Sequence, residues 1–331
     1  MENTNPLRRF YRDFEGYVAE KNTDSRKHML QNRLPDYAFG MDMELRKRLD
    51  AIPKFYSLAQ TICGTYANRM MHEINMTGVA VGPNQFPEIY AIGRDCARRL
   101  GIGVPNIYII SDPTLNAATM ATDDIEPFIY LHSGIVERMT QGELRTVIGH
   151  ECGHIQNKHT VYNLMAQLVI SGAQAGGNII TGKVNALLST GMLLALSRWE
   201  RAAEVTCDRA SVICADNVED AISAQAKLMQ GGMLGKDWKM DLDSLMRQFE
   251  QQKASTARLN ELLFTHPSGL RRIAAIKIFS KCETLFGWRP EFRKPGMRVL
   301  SRDEAEQQCN EVVSLLSERD LHKGKRKNGM Q

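Results

Sequence analysis

Apolar residues recur at helical spacing through much of the first 75 positions, in Leu45 to Leu49 and in Phe55 to Ile62, with Pro35 and Pro53 as interruptions. The pattern predicts a helical arm over 1–75. From Gly78 the character changes. Val79-Ala80-Val81 is a short apolar run between glycines, and Pro87 to Leu100 reads as a helix stopped by Gly101 and Gly103. Three β-type runs follow, Ile107 to Ile110, Leu115 to Ala121 and Phe128 to His132. Ser111-Asp112-Pro113 and Asp123-Asp124 separate them. They predict a small sheet, antiparallel or mixed. Thr140-Gln141-Gly142-Glu143 fits a helix start with Glu at the third helical position. That helix is predicted to run through Leu144, Val147 and Ile148 to about His159. Helical stretches fill most of the chain to about residue 286. Pro290 and Pro295 mark a loop, and Ser301 to Glu318 reads as a last helix with Ser301 at its N-cap. The expected fold is α+β and predominantly α-helical. It divides into an arm (1–75), a central domain (76–286) and a C-terminal helix with a basic tail (287–331).

Composition narrows the classes. At 43% hydrophobic and 24% charged residues the chain has ordinary globular usage, which excludes a disordered or collagen-like chain. The 42 basic against 38 acidic residues leave only +4, too little to call for nucleic acid or an anionic membrane. The seven cysteines are odd in number and lack C-x-x-C spacing, and Met1 to Gly16 has no apolar core of a signal peptide. Free thiols in a reducing, cytoplasmic setting are expected. The alternative is peripheral or integral attachment to an inner membrane through 162–196. In that segment the longest uncharged apolar-leaning run, Val184 to Leu196, has 13 residues. A spanning helix needs about 20, so membrane association is not favoured.

The chemistry is carried by His150-Glu151-Cys152-Gly153-His154. On a helix, positions i and i+4 share a face, so two imidazoles can hold one zinc ion, with Glu151 as general base toward a metal-polarised water. Leu144, Val147, Ile148, Cys152 and Ile155 form an apolar stripe that packs one side of this helix, and a short sheet precedes it, the usual zincin setting. A catalytic zinc takes a third protein ligand. Glu204, fifty residues past His154 on a second predicted helix, is the best candidate. Asp208, four residues later, is placed to accept a hydrogen bond from a ligand histidine. Alone, E-x-x-x-D is a weak signal that reads first as two solvated carboxylates beside Arg201 and Arg209. His266, just before Pro267, is a candidate donor to a developing oxyanion, and Arg272 a candidate to meet substrate or a carboxylate. His266 also reads as an ordinary turn residue.

H-E-C-G-H-I-Q-N-K-H, R-A-A-E-V-T-C-D-R-A and T-H-P-S-G-L-R-R-I, in this order, resemble the three signatures of the HtpX and CAAX-prenyl-protease family of gluzincin metallopeptidases. The likeness covers about residues 100 to 280. It is nearest to soluble-looking bacterial members with a long N-terminal helical arm. The resemblance implies a zincin-like domain with one zinc per chain, held by His150, His154 and Glu204. It implies Glu151 as base, Asp208 behind the ligands, and His266 polarising the scissile carbonyl with Arg272 nearby. It also implies that Asn116, Ala117 and Ala118 pair with a protein or peptide substrate bound as an extended strand. Lys158 departs from the family, which often has Gly there. Cys207 reads as a packing thiol, with an extra thiolate ligand as the alternative. His159, five residues past His154 on a continuous helix, faces away from the ligands and is not assigned as one.

The expected function is a zinc-dependent metalloendopeptidase. The rival expectation is a non-catalytic or autoinhibited zinc-binding regulatory protein whose cleft is closed by its own N-terminal arm.

Overall fold

The computed structural model describes residues 28–30, 34–52, 55–122, 125–165, 190–231, 241, 244, 247 and 269–313. His266 and most of the 162–196 segment lie outside these residues. The described part of the arm is helical as expected, with α1 at Gly40–Asp50 and α2 at Phe55–Thr77. A two-residue strand β1 (Val79–Ala80) leads to α3 (Pro87–Leu100). Gly101, at φ 72°, ends α3 in the left-handed conformation that glycine adopts without a Cβ penalty.

The sheet is mixed. β2 (Asn106–Ile110), β3 (Ala117–Thr122) and β4 (Ile125–His132) join β1 in the order β1-β2-β4-β3. β2 runs parallel to β4, and β1 and β3 run antiparallel to their neighbours. β3 is therefore an edge strand. Side chains alternate across the sheet. Ile107, Ile109, Ile129 and Leu131 enter one core cluster with Ile89, Ile92, Leu144 and Ile148. Met120 and Phe128 enter a second, with Phe39, Ile74 and Trp199. Burying each such side chain contributes about 1.5–3 kcal/mol, so both faces of the sheet are committed.

After a short α4 (Ser133–Arg138) comes α5 (Gln141–Gln156). Its start is the expected capping box: the Thr140 hydroxyl accepts from the Glu143 amide, and Glu143 accepts from the Thr140 amide. Glu143 also accepts from Lys227 Nζ at 2.8 Å and from Ser223 at 2.6 Å. The remaining helices are α6 (Thr190–Cys214), α7 (Val218–Met229), α8 (Gly269–Phe279), α9 (Glu283–Trp288) and α10 (Arg302–Val313). Ser301 and Glu304 form the second capping box, at α10.

Helix α5 stops at Gln156, not at His159. Lys158 takes φ 55°. Its amide donates to Ile155 O, and the His159 amide reaches back to His154 O, each at 3.0 Å. This is a Schellman motif, with Lys158 in the position where glycine is usual. The chain turns there, and His159 folds back against the helix.

Long-range contacts hold α6 in place. Arg209 donates to Tyr37 O and to Glu306 and lies over the rings of Phe39 and Phe279, tying arm, α6, α8 and α10 together. Against α5 the helices approach through glycine. A Cβ at Gly153 would stand 2.7 Å from the Ala210 Cβ, and one at Gly149 would stand 2.5 Å from the Cys214 Cβ.

Candidate metal centre and active site

That close approach brings α6 carboxylates onto the α5 histidines. His150 Nε2 and His154 Nε2 are 3.2 Å apart. Glu204 Oε2 lies 3.5 Å from the first and Oε1 3.5 Å from the second. Zinc bonds of about 2.0–2.1 Å at tetrahedral angles place neighbouring ligand atoms about 3.3 Å apart, close to these separations, with one Glu204 oxygen near each imidazole. Glu204 and Asp208 are both buried, at 4% and 3% exposure, so the solvated-carboxylate reading of the E-x-x-x-D pair fails. Burial pulls the His150 imidazole down, but its hydrogen bonds to Asp208 and Glu204 push it up to about 9. The site is one that draws positive charge. His150, His154 and Cys207 also form a possible metal-binding group, with one potential ligand atom from each lying mutually within 4.8 Å.

Behind the histidines the supports differ. His150 Nδ1 is 3.2 Å from Asp208 Oδ1. Asp208 in turn takes two bonds from Arg272, Nη2 at 2.6 Å and Nε at 2.9 Å. Burial raises the Asp208 carboxyl, and the Arg272 charge outweighs it, holding it below the ordinary range. Arg272 Nη1 also lies 2.9 Å from Glu204 Oε2. Of the two partners expected for Arg272, substrate or a carboxylate, the structure thus supplies carboxylates. His154 Nδ1 is 3.2 Å from His159 Nδ1. His159 therefore touches a ligand candidate, contrary to the expectation that it faces away. The reason is the turn at Lys158: i+5 leaves the face on a continuous helix, and here the helix has ended. Burial pulls the His159 imidazole down against the opposing pull of Asp42.

Glu151 is buried, and the Thr119 hydroxyl donates to its Oε2 at 2.6 Å. Thr119 sits on β3, one residue past the Asn116-Ala117-Ala118 segment, and both line the same cleft as Glu151, His150 and His154. The cleft is ≈ 540 Å³, within the usual span for ligand pockets. Tyr66 and Met70 of α2 and Leu228 and Met229 of α7 also line it. Tyr130 lines it too, its phenol pushed up to about 12 by burial and by the Glu151 charge, so it keeps its proton. Thr119, Asp42 and His159 were not legible as site residues. The Thr119 hydroxyl, within the β3 run, is the one signal that the sequence offers for it.

Cys207 is buried and its thiol is pushed well up, first by burial and then by the Glu204 charge. Its Sγ is 3.5 Å from His159 Nδ1. Cys96, Cys152, Cys207, Cys214, Cys282 and Cys309 are free thiols.

A sheet with a cleft-side edge strand, a helix carrying H-E-x-x-H and a second helix bringing carboxylates onto it define a zincin-like metallopeptidase fold. The chain belongs to peptidase family M48, which matches residues 83–279. It is 30% identical over 229 residues to a plastoglobule-localized metallopeptidase 48 of Arabidopsis thaliana chloroplasts, covering 68% of this chain and 64% of that protein. The match thus spans just under two thirds of that relative's length. It is 28% identical to an HtpX protease homolog of Moorella thermoacetica, over 61% of this chain and 75% of that one. A Streptococcus uberis HtpX protease homolog is 27% identical over 66% and 84%. No solved structure matches. No helix among the described residues is long and apolar enough to cross a membrane.

Proposed function

We propose that this chain is a zinc-dependent endopeptidase. The observation that carries the reading is the spacing of His150 Nε2, His154 Nε2 and the Glu204 carboxylate, 3.2 and 3.5 Å, beside Glu151 and a strand edge unpaired among the described residues. His150, His154 and Glu204 would hold the ion. A bound zinc supplies Lewis acidity toward water and the scissile carbonyl. Glu151 takes the water's proton and passes it to the leaving amine, and Thr119 fixes which Glu151 oxygen does so. Asp208 and Arg272 hold His150 and Glu204 in place. The substrate lies extended along β3, with main-chain pairing to Asn116, Ala117 and Ala118. His266 is assigned the donor to the developing oxyanion, on the family resemblance.

A second reading has a closed regulatory site in which Cys207 joins the two histidines, and their mutual approach favours it. Against it stand the burial that keeps Cys207 a protonated thiol and the Glu204 oxygens 3.5 Å from each imidazole. Cobalt substitution separates the two, since a thiolate ligand produces a sulfur-to-cobalt charge-transfer band and the Glu204 set does not.

The direct test is cleavage of casein by the purified full chain with its zinc quantified. Glu151→Gln should keep the zinc and lose about 10²–10⁴-fold in rate. Cleavage by Glu151→Gln at the wild-type rate would defeat the mechanism.

A further inference from the structure

The N-terminal arm carries no catalytic motif, yet one of its carboxylates is buried 2% exposed behind the metal candidates. Asp42 Oδ1 accepts from Trp199 Nε1 at 2.9 Å. Its Oδ2 accepts from Thr206 Oγ1 at 2.7 Å and lies 3.1 Å from His159 Nε2. The Thr206 hydroxyl is itself oriented, because its oxygen takes the Phe39 amide at 3.0 Å and its proton is left for Asp42. We infer that Asp42 and His159 form a positioning relay that fixes His154 as a metal ligand, so that the arm takes part in the metal centre.

The argument is one of donors and acceptors. A carboxylate has no proton to give, so His159 Nε2 must carry one toward Asp42. In the neutral ring His159 Nδ1 is then a lone pair. It faces His154 Nδ1 at 3.2 Å, and only a proton on His154 Nδ1 makes that contact a hydrogen bond. His154 is thereby held with Nε2 as its lone pair, turned toward His150 Nε2 and Glu204 Oε1. The Asn163 amide agrees. Its nitrogen is placed 3.2 Å from the same His154 Nδ1, while its Oδ1 has no hydrogen-bond partner among the described residues. A half-turn of the amide, which exchanges Oδ1 and Nδ2 in nearly the same space, brings Oδ1 onto that proton. Trp199 closes the relay from solvent, its ring edge-on to His159 at 5.6 Å between centroids. Such supports behind a ligand fix ring orientation as well as tautomer.

The inference rests on His154 being a ligand, and its test separates the two claims. Zinc affinity of the full-length protein is measured by chelator competition for wild type, His159→Phe, Asp42→Asn, His154→Ala and Phe39→Leu. His159→Phe keeps a ring against Trp199 and should weaken zinc binding by about 10–100-fold, with Asp42→Asn toward the lower end. Phe39→Leu trims a ring packed beside the relay while its amide still donates to Thr206, so affinity should fall by less than in the relay variants. Melting of the zinc-free variants registers any loss of fold. In long-range ¹H–¹⁵N spectra of the zinc-free wild type the His154 proton should sit on Nδ1, a preference His159→Phe should lose. Unchanged affinity in His159→Phe and Asp42→Asn overturns the relay, and Asp42→Asn alone decides if the other does not fold. An affinity loss in Phe39→Leu equal to theirs also overturns it. Zinc binding by His154→Ala at wild-type strength overturns the metal reading itself.

Discussion

The two candidate ligands on α5 are supported from behind in different ways. His150 leans on Asp208 directly, and Asp208 is clamped by Arg272. His154 leans on a second histidine, whose carboxylate comes from 117 residues away in the arm. The first support is a charged network packed at the cleft wall, and Arg272 reaches Glu204 as well. The second is buried among Trp199, Thr206 and Phe39. Direct support draws its components from α6 and α8, within the residues the family match covers, whereas relayed support makes the centre depend on how the arm docks.

The largest expected effect breaks the first support. Arg272→Met leaves Asp208 and Glu204 as buried carboxylates without their guanidinium, which should cost about 3–5 kcal/mol in the zinc-free protein. The loss should shrink when zinc is bound, because a cation again faces Glu204. Urea unfolding with and without zinc reads the difference, and equal losses would show that Arg272 serves packing alone. Asp208→Asn sharpens the comparison. Zinc affinity should fall by about 10–100-fold, and by more than in Asp42→Asn, since no second imidazole buffers the change.

Glu143, at the opposite end of α5, is a control outside both supports. Burial raises its carboxyl, but Lys227, Ser223 and the Thr140 amide hold it below the ordinary carboxylate value. Its stabilisation is present above the unfolded value near 4.3 and is lost as pH falls through the lower folded one. Ser223→Ala should therefore cost about 1 kcal/mol at neutral pH, fading once Glu143 is protonated, with zinc affinity untouched. A Ser223→Ala penalty that persists in acid would show that the hydroxyl does not act through the Glu143 charge. The smallest effect is at the turn that makes the relay. Lys158→Gly relieves a left-handed backbone worth about 1–2 kcal/mol and adds back about 0.5–1 in chain entropy. A rise in stability of roughly 0.5–1 kcal/mol in urea is expected, and a fall would mean the Lys158 side chain contributes more than its backbone costs.

The same contrast explains what could be read in advance. Both capping boxes, the helix Pro87–Leu100 and the three main strands follow from local patterns of a few residues. Glu204 and Asp208 are legible as a pair because one helical turn separates them, and the family resemblance supplies their roles. The Asp42–His159 contact has no local signature, since 117 residues and a docking geometry intervene. His159 was misplaced for a specific reason. The residue that ends α5 is Lys158, and a lysine gives none of the stop signal that glycine gives at a left-handed C-terminal position. Thr119 was passed over because a threonine in a strand needs no explanation until its neighbour across the cleft is known.

The glycines at 149 and 153 carry a consequence for how this centre can be lost. Metal ligation tolerates displacements of about 0.2 Å. A methyl at Gly153 would meet the Ala210 Cβ at 2.7 Å and the Cys207 Cα at 3.2 Å, so α6 would have to recede by more than that tolerance. Glu204 would recede with it, although every liganding residue remained. The H-E-x-x-H signature could thus persist in a descendant that no longer gathers its third ligand. The precision of the centre is inherited from the spacing of two helix backbones, and its silent failure would be written at Gly149 or Gly153, each beside a histidine that itself stays unchanged.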